Sequence, residues 1–290
     1  MPGNSAARTA TLMFLINGEH RDSLPATDRG LQYGDGLFET VAVIAGRPQH
    51  WQAHLKRLEA GCARLGIPFP GSTMLDDEFS RMPQSTGRWV LKIIVTRGSG
   101  GRGYRPPMPA QPTRVLCRYP WPDYPDDLAD QGVRTRVCTT RLGFNPALAG
   151  VKHLNRLEQV MARREWDDAG IAEGLMCDAE GRLISGTMSN LFLVTRGRVG
   201  TPILTHAGVA GVMREQVIDA CRQLNLPVDI GACGEPDLKR ADEVFLTNSL
   251  IGIWPVIEIV GTGGGTMQPG PVTRALRTHM QELGALPQHG

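Results

Sequence analysis

The chain has 290 residues, a net charge of +2, 21% charged residues and 41% hydrophobic residues. That length suits two domains sharing a cleft, and the near-balanced charge gives no electrostatic reason for a nucleic-acid or anionic-membrane partner. No apolar run approaches the roughly 20 residues of a membrane span. The six cysteines (Cys62, Cys117, Cys138, Cys177, Cys221 and Cys233) form no C-x-x-C pair, which argues against a disulfide framework or structural zinc and for a reducing cytoplasm.

Met1–Leu12 is small and polar with no apolar h-region; it is expected to be a disordered extension or a mis-assigned start rather than a signal peptide. Met13-Phe14-Leu15-Ile16-Asn17-Gly18 reads as a strand and turn. In the stretch 28–40, Gly30, Gly34 and Gly36 fall within seven positions, predicting a tight, closely approached backbone rather than a regular element. Val41–Ile44 reads as a strand and Gly46-Arg47-Pro48 as a hairpin turn. A helix is predicted over 52–65, with Leu55, Leu58, Cys62 and Leu65 on one face and Gly66 and Pro68 ending it. Arg57 lies off that stripe, so packing does not explain it; by composition alone it is a solvated arginine.

Trp89–Val95 is a β-rich strand that runs into Arg97-Gly98-Ser99-Gly100-Gly101-Arg102-Gly103-Tyr104. Residues 98–103 match G-x-G-x-x-G, but the dinucleotide fingerprint needs a helix directly afterwards. Arg105-Pro106-Pro107-Met108-Pro109 cannot start one. The loop reads instead as a flexible wall carrying Arg97 and Arg102 toward an anion, or as a mobile solvent loop. The proline- and acid-rich run from Trp121 to Asp127 begins a linker over 121–131, between an N-terminal α/β domain (13–120) and a C-terminal domain (132–290).

Strand Val133–Thr140 opens the second half. Lys152 follows the small apolar run Ala147–Val151 and is predicted to open a helix with Leu154, Leu157 and Met161 on one face. The chain holds only four lysines (Lys56, Lys92, Lys152 and Lys239), so each invites its own explanation. Lys56 and Lys239 sit in charged, solvated surroundings. A lysine at such a junction as Lys152 is either reaching for solvent or partly desolvated, with a lowered pKa and a nucleophilic amine. Strands are predicted at 174–178 and 183–184 around the turn Ala179-Glu180-Gly181, and a strand at 190–194 after the small-residue loop from Ser185. Thr205–Arg214 is a glycine-rich entry to a helix with Met213, Val217, Cys221 and Leu224 inward, a geometry that suits phosphate. Glu243–Leu246 is a strand running into Thr247-Asn248-Ser249. His206 lacks partner spacing for a metal, so no metal site is predicted.

The stretch Lys152-His153-Leu154-Asn155-Arg156-Leu157-Glu158-Gln159 closely resembles the active-site segment of the class IV (fold type IV) pyridoxal-phosphate enzymes, and among them the 4-amino-4-deoxychorismate lyases. Similarity of order and spacing runs from about Met13 to the C-terminal region. The resemblance implies a two-domain α/β (α+β) fold of the D-amino-acid aminotransferase-like type, with pyridoxal 5'-phosphate in the interdomain cleft of a homodimer. It implies that Lys152 bonds the cofactor, that Arg57 holds the phosphate, and that Asn190, Asn248, Ser249 and the amides of Val212 and Met213 complete the cofactor pocket. By the same resemblance, Tyr33 lines the site and Arg97 and Arg102 meet the two carboxylates of 4-amino-4-deoxychorismate, which the lyases convert to 4-aminobenzoate and pyruvate in folate biosynthesis. The same scaffold hosts branched-chain and D-amino-acid aminotransferases, and could serve a non-catalytic binding protein.

One position departs from the family pattern. The family places a glutamate five residues before the signature asparagine, against the pyridine nitrogen; here that position is Ser185. A neutral hydroxyl stabilises a pyridinium poorly, so the ring is expected to be a weaker electron sink, with weak or absent transamination. Ser185→Glu is expected to raise the ring-nitrogen pKa, read by nitrogen-15 NMR of labelled cofactor; a ring nitrogen already fully protonated in the unaltered protein at neutral pH contradicts this.

Overall fold

The structure is a computed structural model that describes residues 13–261 and 266–287; the expectation for Met1–Leu12 lies outside them. The first half contains β1 (Met13–Ile16), β2 (Glu19–His20), α1 (Arg29–Tyr33), β3 (Gly36–Ile44), β4 (Arg47–Pro48), α2 (Trp51–Leu65), α3 (Ser72–Ser80), β5 (Arg88–Thr96) and β6 (Thr113–Pro120). The second contains α4 (Leu128–Gln131), β7 (Val133–Leu142), α5 (Leu157–Arg163), β8 (Ile171–Asp178), β9 (Leu183–Gly186), β10 (Asn190–Thr195) and β11 (Arg198–Pro202). It continues with α6 (Val212–Gln223), β12 (Val228–Gly231), α7 (Glu235–Arg240), β13 (Glu243–Asn248), β14 (Gly252–Val260) and α8 (Pro271–Glu282).

Two sheets result. One has the order β2-β1-β6-β5-β3-β4 and the other β12-β11-β10-β13-β14-β7-β8-β9. Strand β3 pairs β5 antiparallel over its whole length, Gly36 opposite Thr96 through Ile44 opposite Arg88. Alternation along these strands sends Leu37, Val41, Val43, Leu91, Ile93 and Val95 to a core closed by Leu55, Leu58 and Cys62 of α2. The second sheet packs Phe192, Phe245 and Ile253 against Met213, Val217 and Cys221 of α6 and Leu276 and Met280 of α8. The segment read as a linker is packed: Tyr124, Leu128 and Ala129 join the core around Trp254.

Three expectations are corrected. The stretch 28–40 contains regular elements, because Asp28 caps α1 by accepting from the Gly30 N–H at 2.8 Å and Gly34 ends it at φ 65°. Next, α5 starts at Leu157 rather than Lys152, and Leu157 and Met161 are exposed rather than packed. Finally, the 97–104 loop is pinned. Arg29 donates to the carbonyls of Gly103 at 2.9 Å and Tyr104 at 3.1 Å, and the Tyr33 hydroxyl accepts from the Gly103 N–H at 3.1 Å. At Gly98 (φ 85°) a Cβ would overlap the carbonyl oxygen of Gln111, so the loop's first turn needs glycine.

Arg97 is also corrected. Its guanidinium is buried and makes four hydrogen bonds: it grips Asp35 at 2.7 and 3.0 Å and donates to the carbonyls of Gly66 at 2.7 Å and Leu65 at 2.8 Å. Burial alone would raise the pKa of Asp35, but Arg97 and Arg29 outweigh it and hold the carboxyl below the usual range. Arg97 therefore ties α2 to the start of β3, and it does not border the cavity described below. Removing one partner of a largely buried pair costs roughly 3–5 kcal/mol. Asp35 keeps Arg29, so Arg97→Ala is expected to cost about 3 kcal/mol in urea unfolding, while Arg102→Ala, at an exposed position, leaves the midpoint unchanged.

Candidate active site

A cavity of about 540 Å³ opens between the two sheets, within the range of small-molecule sites. Its floor carries Lys152. The backbone there is extended: the Phe38 N–H donates to the Lys152 carbonyl and the Leu154 N–H to the Gly36 carbonyl, each at 3.0 Å. Two residues earlier, Gly150 donates to Gly208 and accepts from Ala210, also at 3.0 Å. The lysine segment is thus clamped between β3 of one sheet and the 207–211 loop leading to α6.

The Lys152 side chain is accessible only partly, and it borders the cavity. Its Nζ lies 4.3 Å from the centre of the Phe38 ring, and no carboxylate pairs with it among the described residues. Desolvation pulls its pKa down from 10.5 to about 7; the charges of Arg57, Arg156 and Lys92 act the same way, against the opposing pull of Glu39. At neutral pH a large share of the amine is free base and nucleophilic.

Beside it a buried carboxylate organises the wall. Glu39 accepts from Arg57 Nε at 2.8 Å, more closely from Arg57 Nη2, and from His54 Nδ1 at 2.6 Å. Burial raises the Glu39 pKa, but Arg57 and His54 more than offset this and bring it to about 2. His54 is itself lowered by burial, which prevails over the raising effect of Glu39, so its ring is neutral at pH 7. With Nδ1–H given to Glu39, Nε2 is left to accept from the Ser249 hydroxyl at 3.3 Å. Arg57 Nη1 donates to the Ala210 carbonyl at 2.9 Å, which brings the guanidinium beside the N-terminus of α6.

That helix has Gly211 at its cap and no side-chain cap bond, so the first-turn amides of Val212 and Met213 border the cavity uncapped. A Cβ at Gly211 would overlap Asn190 Oδ1, which keeps the cap bare. Asn190 Nδ2 fixes the same loop by donating to the Val209 carbonyl at 2.9 Å. Asn248 and Ser249, at the end of β13, and Ser185, at the end of β9, complete this side. Uncapped amides at the positive end of a 12-residue helix, together with Arg57, form an anion cradle. With a depressed lysine beside it, this donor set fits pyridoxal phosphate: Arg57 and the α6 amides could take its phosphate and Lys152 its aldehyde.

Of the residues expected from the sequence, Arg57, Lys152, Ser185, Asn190, Val212, Met213, Asn248 and Ser249 all border the cavity. Tyr33, Arg97 and Arg102 do not: Tyr33 stacks edge-on against Tyr104 with ring centres 5.6 Å apart, Arg97 is consumed by Asp35, and Arg102 is exposed. Sequence reasoning missed Glu39 and His54, whose helical and strand positions carry no motif of their own. It also missed Glu173, whose buried carboxylate accepts from Thr187 (N–H and hydroxyl), the Met188 N–H at 3.1 Å and Ser189 Oγ at 2.8 Å. That carboxylate shapes the 187–189 turn on the cavity wall. A third omission is Arg156, directly visible in the motif around Lys152.

A half-buried lysine of lowered pKa between two sheets, an anion cradle at a helix N-terminus and a small-molecule cavity define a cofactor-dependent α/β enzyme. The chain belongs to the amino-transferase class IV family, which it matches over residues 36–259; enzymes of this class depend on pyridoxal phosphate. It is 39% identical over 272 residues to an aminodeoxychorismate lyase from Vibrio harveyi, covering 92% of this chain and 99% of the relative. It superposes on the crystal structure of a 4-amino-4-deoxychorismate lyase from Pseudomonas aeruginosa with a TM-score of 0.89 and 46% identity, covering 94% of this chain and 100% of that one. A D-alanine aminotransferase from Bacillus licheniformis is 26% identical, covering 88% of this chain and 89% of the relative.

The depressed lysine gives a pH prediction. In cofactor-free protein, labelling of Lys152 by an amine-directed reagent is expected to rise to a plateau through about pH 7. Site-resolved mass spectrometry reads it, and a Lys152 profile still climbing steeply well above pH 8 contradicts the desolvated amine.

Proposed function

We propose that this protein is a pyridoxal-phosphate-dependent carbon–oxygen lyase that converts 4-amino-4-deoxychorismate to 4-aminobenzoate and pyruvate, a step of folate biosynthesis. The observation that carries the chemistry is Lys152, held near neutrality on the floor of a cavity whose far wall is an anion cradle. The lyase relatives at 39% and 46% identity over nearly the whole chain support this substrate over an amino acid.

Bound pyridoxal phosphate supplies an electron sink for the charge left when the substrate C4 proton departs. Arg57 and the Val212 and Met213 amides hold the phosphate, and Glu39 and His54 fix Arg57 in that pose. Lys152 Nζ takes the C4 proton. The C3–O bond breaks, the ring aromatises, and the same amine returns the proton to the methylene of the departing enolpyruvate, giving pyruvate. Asn190 keeps the 207–211 loop in register with the cap of α6.

The same reading includes a homodimer in the cytoplasm. Leu157, Val160 and Met161 of α5, and Tyr104 and Met108 of the pinned loop, are exposed apolar groups that a second copy would cover. The six cysteines are free and buried, in keeping with a reducing compartment, and no helix among the described residues is long and apolar enough to cross a membrane.

Three readings separate in one pair of assays. Purified protein with aminodeoxychorismate is expected to release 4-aminobenzoate and pyruvate in equal amounts, and to turn over little or no amino acid with 2-oxoglutarate. Faster turnover of a branched-chain or D-amino acid would make the protein an aminotransferase, and turnover of neither a binding protein. Arg57→Ala is expected to weaken cofactor binding by on the order of tenfold or more, the scale of a lost charged hydrogen bond.

A further inference from the structure

The cavity has a second cationic region, apart from Arg57 and the amides of α6. From the cap of α5 onward, Arg156, Gln159, Val160, Arg163 and Arg164 border the cavity. Their spacing of three, four, seven and eight residues puts them on one face of the helix. None of these three arginines has a carboxylate within ion-pair distance among the described residues, whereas Arg57 is neutralised by Glu39.

Arg156 is the innermost. Its Nε donates to the His153 carbonyl at 2.9 Å and Nη2 reaches the Val151 carbonyl at 3.4 Å, so the guanidinium plane is fixed. Nη1 has no acceptor among the described residues. Burial lowers the Arg156 pKa to about 10, against a small opposing effect of Glu158, so the group is fully charged at neutral pH. A charge this desolvated is costly without a counter-ion. Gln159, one turn along, adds a buried amide oxygen with no partner among the described residues; either orientation of that amide leaves a buried polar atom unmatched. Arg163 stands at the mouth, held over the Trp166 ring at 4.5 Å and donating to the Trp166 carbonyl at 2.8 Å.

We infer that Arg156 is the carboxylate-reading residue of this enzyme, taking one carboxylate of a dianionic substrate, with Arg163 and Arg164 supplying positive charge for the other at the mouth. This rests on the lyase reading, which supplies a substrate with two carboxylates, and it reassigns to α5 the role that Arg97 and Arg102 do not fill. The planar fork matters: its inner nitrogens are anchored to the backbone while the outer one faces the ligand, an arrangement a lysine cannot reproduce.

The test uses holoenzyme and the 4-hydroxy analogue of aminodeoxychorismate, which keeps both carboxylates and lacks the amine. Calorimetric titration of Arg156→Gln is expected to show binding weakened on the order of 10- to 100-fold with the cofactor absorbance unchanged. Arg156→Lys should recover part of the loss, and Arg102→Gln should bind as the unaltered protein does. Analogue affinity unchanged in Arg156→Gln overturns the inference and leaves the lyase reading standing. A holoenzyme that neither binds the analogue nor turns over aminodeoxychorismate overturns both. Should Arg156→Gln fail to fold, phenylglyoxal labelling of unaltered holoenzyme decides: protection of Arg156 by the analogue supports the inference, and equal labelling with and without it refutes it.

Discussion

Glu39 carries a negative charge into an interior where an unpaired carboxylate could not remain ionised. It does so from β3, and the groups that compensate it come from α2: His54 and Arg57, one helical turn apart. Each of these reaches onward to the other sheet, Arg57 to the Ala210 carbonyl and His54 to Ser249. One carboxylate therefore fixes the two contacts that align the α6 cap with the lysine segment. The folded pKa near 2 lies below the ordinary 4.5, so Glu39 contributes stability above pH 4.5. That contribution is lost as the pH falls from about 4.5 toward 2. The same protonation would loosen Arg57, so the joint between the sheets and the anion cradle fail together.

The cavity's anchors were the most legible part of the sequence, because their signals are local. The helix of Trp51–Leu65 has a continuous apolar stripe and a glycine end; Arg57 lies off that stripe and reads as solvated until the family resemblance gives it a role. Lys152 stands out because arginine covers the rest of the surface. What the sequence hid were pairings across long separations. Arg97 and Asp35 are 62 positions apart and Glu173 and Ser189 are 16, and no periodicity marks either pair. An arginine in a glycine-rich loop looks the same whether it faces a ligand or a buried aspartate.

Two misreadings share another cause. The apolar residues Leu157 and Met161 looked like the inner face of a helix, yet they are exposed, while the arginines of the same helix face the cavity. Period alone tells which residues share a face and not which side that face meets. On α5 Gln159 and Arg163 border the cavity while Leu157 and Met161 are exposed, unlike an ordinary surface helix whose apolar stripe meets the core. The tightly spaced glycines before β3 misled in a related way. They permit close approach, as at the turn of Gly34, but capping by Asp28 and pairing with β5 still build a helix and a strand around them.

The charges of the cavity also bear on its lysine. Arg57 and Arg156 both border the cavity with Lys152, and both push its pKa down. A phosphate against the first and a carboxylate against the second would each cancel part of that repulsion. An empty cavity thus favours the neutral amine, the form that attacks a carbonyl. A cavity holding both anions favours the protonated amine, the form that can donate to a leaving carbon. Burial, the largest cause of the depressed pKa, remains in both states, so the amine is never far from neutrality and can give its proton back. Anion recognition and proton transfer are in this way one electrostatic problem, set by two arginines that share a cavity with a single lysine.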